Sequence, residues 1–141
     1  MMPAGYSGTP LPKKLGIVGS TRMTVLGGPD DYRSILGALP AGATVSSRLS
    51  STTTLVHLFV TKREVLASRL AQLRTALRPD AAVWVSWPKK SANVPTTVTE
   101  DVIRELALPL GWVDVKVCAV TDVWSGLKLV VRKVLRPKGA I

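Results

Sequence analysis

The chain predicts an α/β fold: a mostly parallel sheet with helices between its strands, closed by an antiparallel hairpin. Two continuous apolar runs, residues 55–60 and 81–87, have the composition of strands covered on both faces, as central parallel strands are. A helical pattern follows each run. In the last third, two apolar stretches are separated only by Thr121-Asp122-Val123, too short for a helical crossover, so those strands run antiparallel.

Composition sets the frame for the elements. A length of 141 residues suits one domain with one core. Hydrophobic residues make up 46% and charged residues 20%, which excludes disorder through polar composition. Nineteen Lys and Arg against nine Asp and Glu give a net charge of +10, favouring phosphates, nucleotides, nucleic acid or acidic protein faces as partners. Cys118 is the single cysteine, so an intrachain disulfide framework is impossible and a reducing compartment is expected. With no secretory-type segment and no apolar stretch near the roughly 20 residues that span a bilayer, the expected location is the cytoplasm, with no membrane partner.

In chain order, residues 1–16 are rich in Pro and Gly and read as an extended arm, with Lys13 and Lys14 placed to fold across a ligand site. Residues 17–133 form the single α/β domain and residues 134–141 a basic tail. The first strand is residues 23–26. After Gly27-Gly28-Pro29, Asp30 and Asp31 serve as N-cap and first-turn acid of a two-turn helix through Leu36. A weak strand at residues 44–48, diluted by Ser46 and Ser47, belongs on the outside of the sheet. The third strand, residues 55–60, runs into Thr61-Lys62-Arg63-Glu64, a capping box opening a helix. Val65, Leu66, Leu70, Leu73 and Leu77 form its apolar stripe and Pro79 stops it. After the fourth strand, Thr97-Val98-Thr99-Glu100 offers a second capping box, for a helix with Val102, Ile103, Leu106 and Leu110 inward and Gly111 closing it. The hairpin strands are residues 112–120 and 124–133, with Lys116 and Lys128 on an exposed face or at a site.

This succession resembles the class I methyltransferase fold, a three-layer, doubly wound, Rossmann-like sheet ending in an antiparallel pair, here with one strand-helix unit fewer. The resemblance implies strand order 2-1-3-4-6-5 with right-handed crossovers. At the level of segments, residues 4–17, 87–90, 113–120 and 124–129 resemble a bacterial, actinobacterial family, domain of unknown function 3052, which brings no activity with it. The methyltransferase class binds S-adenosylmethionine through a Gly-x-Gly-x-Gly loop after the first strand and an acid ending the second. Here the loop is Gly27-Gly28-Pro29 and the second strand ends at Ser47-Arg48, whose guanidinium cannot accept hydrogen bonds from ribose hydroxyls. Ribose methyltransferases acting on RNA use two lysines, an aspartate and a glutamate. Lys14 and Lys89 or Lys90 match the lysines, but Thr61 and Lys128 stand at the strand positions where acids are wanted. No cofactor and no catalytic residue are therefore expected, S-adenosylmethionine being unsupported by the loop.

Open α/β sheets bind ligands beyond the carboxyl ends of their strands, where strand order reverses. The residues expected on that rim are Gly27, Gly28, Arg48, Thr61, Lys62, Arg63, Lys89 and Lys90, with Lys13 and Lys14 folding across. Such a cationic edge suits a nucleotide or another phosphate-type ligand, although Asp30 and Asp31 put negative charge beside it. Trp87 and Trp124, near strand ends, are candidate stacking platforms, whereas Trp84 reads as core. His57 lies in the buried third strand and reads as a hydrogen-bonded core residue, Cys118 as a packing residue. No metal-ligand set and no hydrolase arrangement is present in the sequence. The expectation is a non-catalytic domain binding an anionic small molecule. A nucleic-acid-binding module and an atypical S-adenosylmethionine-dependent methyltransferase are the alternatives, and a homo-oligomer joined through an exposed edge strand is a further one.

Overall fold

The apolar run after residue 54 becomes β3 (Leu55–Phe59), buried at every position, and the sheet is built around it. The computed structural model describes residues 8–136. On one side of β3 lies β1 (Arg22–Leu26) and on the other β4 (Ala82–Pro88), both parallel to it. A short β2 (Thr44–Ser46) pairs in parallel outside β1. Beyond β4 comes β6 (Trp124–Val131), antiparallel to it, and then β5 (Trp112–Ala119) at the far edge. The order β2-β1-β3-β4-β6-β5 is the one the methyltransferase resemblance implies.

Two helical layers cover this sheet. On one face lie α3 (Arg63–Ala76) and α4 (Glu100–Ala107). Leu66, Leu70 and Leu73 of α3 are fully buried in one core with Val56, Leu58, Val83, Val85, Leu127 and Leu129. Each such leucine contributes about 1.5–3 kcal/mol through removal of its side chain from water. Val65 falls outside the predicted stripe: it is 46% exposed. On the other face lie two one-turn helices, α1 (Leu11–Leu15) and α2 (Tyr32–Leu36), whose Leu11, Leu15, Tyr32 and Leu36 pack with Met23, Leu55, Phe59 and Trp84.

Several local expectations give way to tertiary contacts. Residues 11–15 are helical rather than extended: Pro12 occupies the first turn, where no amide hydrogen is required, and Gly16 closes the turn at φ 77°. Trp84 holds this turn, its Nε1 donating to the Leu15 carbonyl at 3.0 Å. Residues 1–7 of the predicted arm and residues 137–141 of the predicted tail lie outside the described residues. Within the tail, residues 133–135 form a helical turn and Arg136 Nε donates to the Val131 carbonyl at 2.8 Å. The helix after Gly27-Gly28 is one turn, not two, and Asp31 at its N-cap makes no side-chain capping bond.

Neither predicted capping box forms as drawn. Helix α3 begins at Arg63, one residue later than the Thr61 box requires, and its Arg63 amide donates to Thr97 Oγ1 at 2.7 Å from the β4–α4 loop. Helix α4 is capped by Thr99, whose hydroxyl accepts from the Val102 amide at 3.2 Å. β2 stops at Ser46, so Ser47 and Arg48 leave the sheet, and β5 carries a bulge between Asp114 and Lys116.

Candidate functional site

The chain leaves β1 at Leu26 and must turn across the end of β3 before α2. Gly27 makes that turn at φ 70°, and a β-carbon there would stand 2.7 Å from the Phe59 carbonyl oxygen. One on Gly28 would stand 2.8 Å from Val25 Cγ1 and 3.7 Å from Tyr32. The glycine pair is thus required by strand and helix packing. The space that the missing side chains leave is filled by protein.

Beside this turn, between the ends of β1 and β2, opens a cleft of about 480 Å³. Val25, Val45 and Tyr32 give it apolar walls, Ser46 and Ser47 bring hydroxyls, and Arg33 brings a guanidinium; no carboxylate among the described residues lines it. Two further clefts open along the same strand ends. One of about 460 Å³ lies between α2 and the β5–β6 turn, lined by Asp31, Ser34, Thr121, Asp122 and Trp124. The other, of about 660 Å³, lies between the end of β4 and the start of α4, lined by Trp87, Lys89, Lys90, Thr96, Glu100 and Asp101.

The rim residues expected from the sequence are therefore divided. Gly27 and Gly28 meet the first cleft, whereas Lys89 and Lys90 belong to the third, where two acids face them. The Lys89 amide is bound to the Val123 carbonyl at 2.8 Å. Thr61 is engaged through its carbonyl, which accepts from the Thr97 amide at 2.9 Å and Thr96 Oγ1 at 2.8 Å. Lys62 is exposed at the start of α3, while the Arg63 guanidinium is ion-paired with Glu105. Arg48 is exposed beyond β2, its carbonyl accepting from Thr24 Oγ1 at 3.0 Å. Lys13 is exposed; Lys14 reaches the β5 side of the strand-end rim, away from the first cleft, its Nζ donating to the Ala119 carbonyl at 2.9 Å. Of the two stacking candidates, Trp87 is 8% exposed and unavailable as a platform, and Trp124 is half-buried with its edge against Phe59. Arg33, Ser46 and Ser47 are the cleft residues that the sequence reading missed. Their signal was position, one turn past the glycine pair and at the end of the second strand.

Beneath the cleft runs a buried polar chain. Tyr32 Oη lies 2.8 Å from His57 Nδ1, and His57 Nε2 lies 2.7 Å from Ser86 Oγ, tying α2 to β3 and β4. The imidazole also stacks on Phe59 at 4.2 Å. Burial lowers the His57 pKa from 6.5 to about 3, so the ring is neutral at neutral pH. Burial also raises the Tyr32 pKa, with Arg33 opposing it weakly. His57 is the hydrogen-bonded core residue the sequence suggested. Among the described residues no group of three or more His, Cys, Asp or Glu is placed to hold a metal ion, and no helix is long and apolar enough to cross a membrane.

Among solved structures, the chain is similar to the B. subtilis tRNA methyltransferase TrmK, with 10% identity, 88% of this chain and 66% of that chain covered, and a TM-score of 0.58. It is also similar to a protein of the NADB-Rossmann superfamily from Streptococcus agalactiae, with 10% identity, coverages of 91% and 70%, and a TM-score of 0.54. The chain thus spans slightly less than two thirds of the length of TrmK. No protein-family model and no curated protein matches the sequence. At such identities the likeness establishes a methyltransferase-like Rossmann fold and leaves the chemistry to the site.

S-adenosylmethionine is the cofactor which that fold class implies. It presents a sulfonium and an ammonium, which call for negative charge, a ribose diol, which calls for acceptors, and a carboxylate, which calls for a donor or a cation. In the first cleft Ser46 and Ser47 can accept from a ribose diol and Arg33 can meet a carboxylate, but no carboxylate among the described residues lines it to face the sulfonium and the ammonium. Lacking negative charge for its two cations, the lining does not fit this group.

Proposed function

We propose that the protein is a non-catalytic Rossmann-like domain that binds a nucleotide or another phosphate-bearing small molecule between the ends of β1 and β2. The lining of that cleft carries this reading: apolar walls from Val25, Val45 and Tyr32, hydroxyls from Ser46 and Ser47, and the Arg33 guanidinium. In this reading the walls hold a base, the serines exchange hydrogen bonds with sugar hydroxyls, and Arg33 makes a charge-assisted contact with phosphate. Lys62, exposed after the adjacent strand, adds positive potential without a direct contact. A cytoplasmic setting and kinship with the actinobacterial family of unknown function belong to the same proposal.

Isothermal titration of the full chain with a panel of nucleotides and S-adenosylmethionine tests it. Nucleotide binding weakened about tenfold or more by Arg33→Gln is the expected outcome, since a charged hydrogen bond contributes about 1.5–3 kcal/mol. Uniform absence of binding overturns the proposal. The second reading, an atypical methyltransferase, is favoured by the position of the cleft, which is where the class I fold places its cofactor. Binding of S-adenosylmethionine in preference to nucleotides would replace the first reading with that one.

A further inference from the structure

Charge is distributed unequally between the two faces of the sheet. Five of the nine acidic residues, Asp80, Glu100, Asp101, Glu105 and Asp114, are ion-paired on the α3–α4 side. The opposite side carries lysines on its strands, with Asp31 and Asp122 at the strand-end cleft between α2 and the β5–β6 turn. The strand register sets Trp84 of β4 beside Lys128 of β6 and Lys128 beside Lys116 of β5. Directly paired residues share a face, and Trp84 belongs to the α1–α2 core, so both lysines stand on that side. Lys14 of α1 joins them, its Nζ at the Ala119 carbonyl. Lys128 Nζ lies against Gly16, 3.9 Å from where a β-carbon would be.

Like charges directly opposite across two strands repel, and a hairpin otherwise rich in valine and leucine has no folding reason to place them there. Among the described residues Lys116 and Lys128 form no ion pair, and Lys116 is exposed. An anionic partner relieves this repulsion. The exposed Val117 of the same strand pairs with Leu127 and so lies on the opposite face, and Val18, exposed beside Lys128, is a single valine rather than the broad apolar centre that protein interfaces have. A phosphate backbone needs only point charges in a row.

We propose that Lys14, Lys116 and Lys128 form a nucleic-acid contact surface on the α1–β6–β5 face, separate from the strand-end cleft, which holds phosphates without reading bases. The test is fluorescence anisotropy of the full chain with a labelled 20-base-pair DNA duplex at 50 and 200 mM salt. Three phosphate contacts predict a loss of affinity of roughly 40-fold over that fourfold change in salt. In the Lys116→Gln/Lys128→Gln variant one contact remains and the loss shrinks to roughly 4-fold, whereas the charge-matched Arg69→Gln/Arg78→Gln variant on the α3 side keeps the full dependence. Circular dichroism confirms folding; should the double variant not fold, Lys116→Gln alone predicts roughly 12-fold. An unchanged salt slope in the lysine variants, binding to poly-glutamate but not to the duplex, or no binding at 50 mM salt overturns the proposal. None of these outcomes bears on nucleotide binding at Arg33, because the two sites share no residue.

Discussion

The two helical layers of this sheet are built on different terms. The α3–α4 layer rests on the four-turn helix α3 with its leucines inward, and Arg63, Glu100, Arg104 and Glu105 are ion-paired on its outer side. The α1–α2 layer consists of two single turns that bury a tyrosine, a histidine and a serine and leave lysines beside them. One-turn helices have little stability of their own, so the second layer is held by specific tertiary bonds rather than by helix formation. The candidate cleft and the lysine face both lie on that irregular side. Regular packing on one face makes an irregular, chemically equipped face affordable on the other.

The largest effect expected from this contrast is at Leu70, with no exposed surface at the centre of α3. Leu70→Ala leaves a cavity between helix and sheet and costs about 2–5 kcal/mol, read from urea denaturation midpoints. A cost below 1 kcal/mol would mean that the α3–α4 core repacks freely and is not the rigid half.

The second test addresses the buried polar chain. Tyr32→Phe removes the Oη partner of His57 Nδ1 and costs about 1–3 kcal/mol, because the imidazole nitrogen stays buried without a bond. The His57 pKa is about 3 in the fold against an ordinary value of 6.5. Below pH 6.5 the unfolded chain therefore takes up a proton that the fold refuses, and stability falls as pH drops toward 3. The slope is at most about 1.4 kcal/mol per pH unit. Equilibrium unfolding between pH 7 and 5, above the carboxylate range, reads it, and His57→Gln should flatten it. A wild-type stability that is level across this interval would show that His57 is not held neutral.

The same contrast decides what was legible in the sequence. The central strands, the hairpin and the α3 stripe follow from apolar runs and a three-residue connection, which are local signals, whereas the strand order came from the resemblance to the class I methyltransferase fold. The turn at Leu11–Leu15 was not legible, since its bond is the Trp84 indole, 69 residues away. Glycines at 27 and 28 announced a nucleotide loop, yet their cause is the Phe59 carbonyl and the Val25 side chain, which only the folded register brings near. Likewise, Lys89 and Lys90, expected beside Gly27 and Gly28, line a different cleft from them, because strand ends share an edge without sharing a cleft. Arg33 reached the cleft through the short path of α2, whose length no periodicity fixes.

The smallest effect is also the sharpest discrimination between local and tertiary control. Thr61 and Glu64 have the spacing of a capping box, but α3 starts at Arg63 and its first amide is capped by Thr97 from the loop that leads into α4. Thr97→Ala should therefore destabilise by about 1 kcal/mol, whereas Thr61→Ala should stay within about 0.5 kcal/mol, because the Thr61 backbone carbonyl that Thr96 and Thr97 use survives the change. Thr97→Ser, which keeps the hydroxyl, should restore most of the loss. Equal costs at 61 and 97 would return the cap to the local sequence. The predicted inequality instead makes the start of α3 depend on a loop 34 residues later in the chain, so that even the regular layer is finished by a tertiary bond.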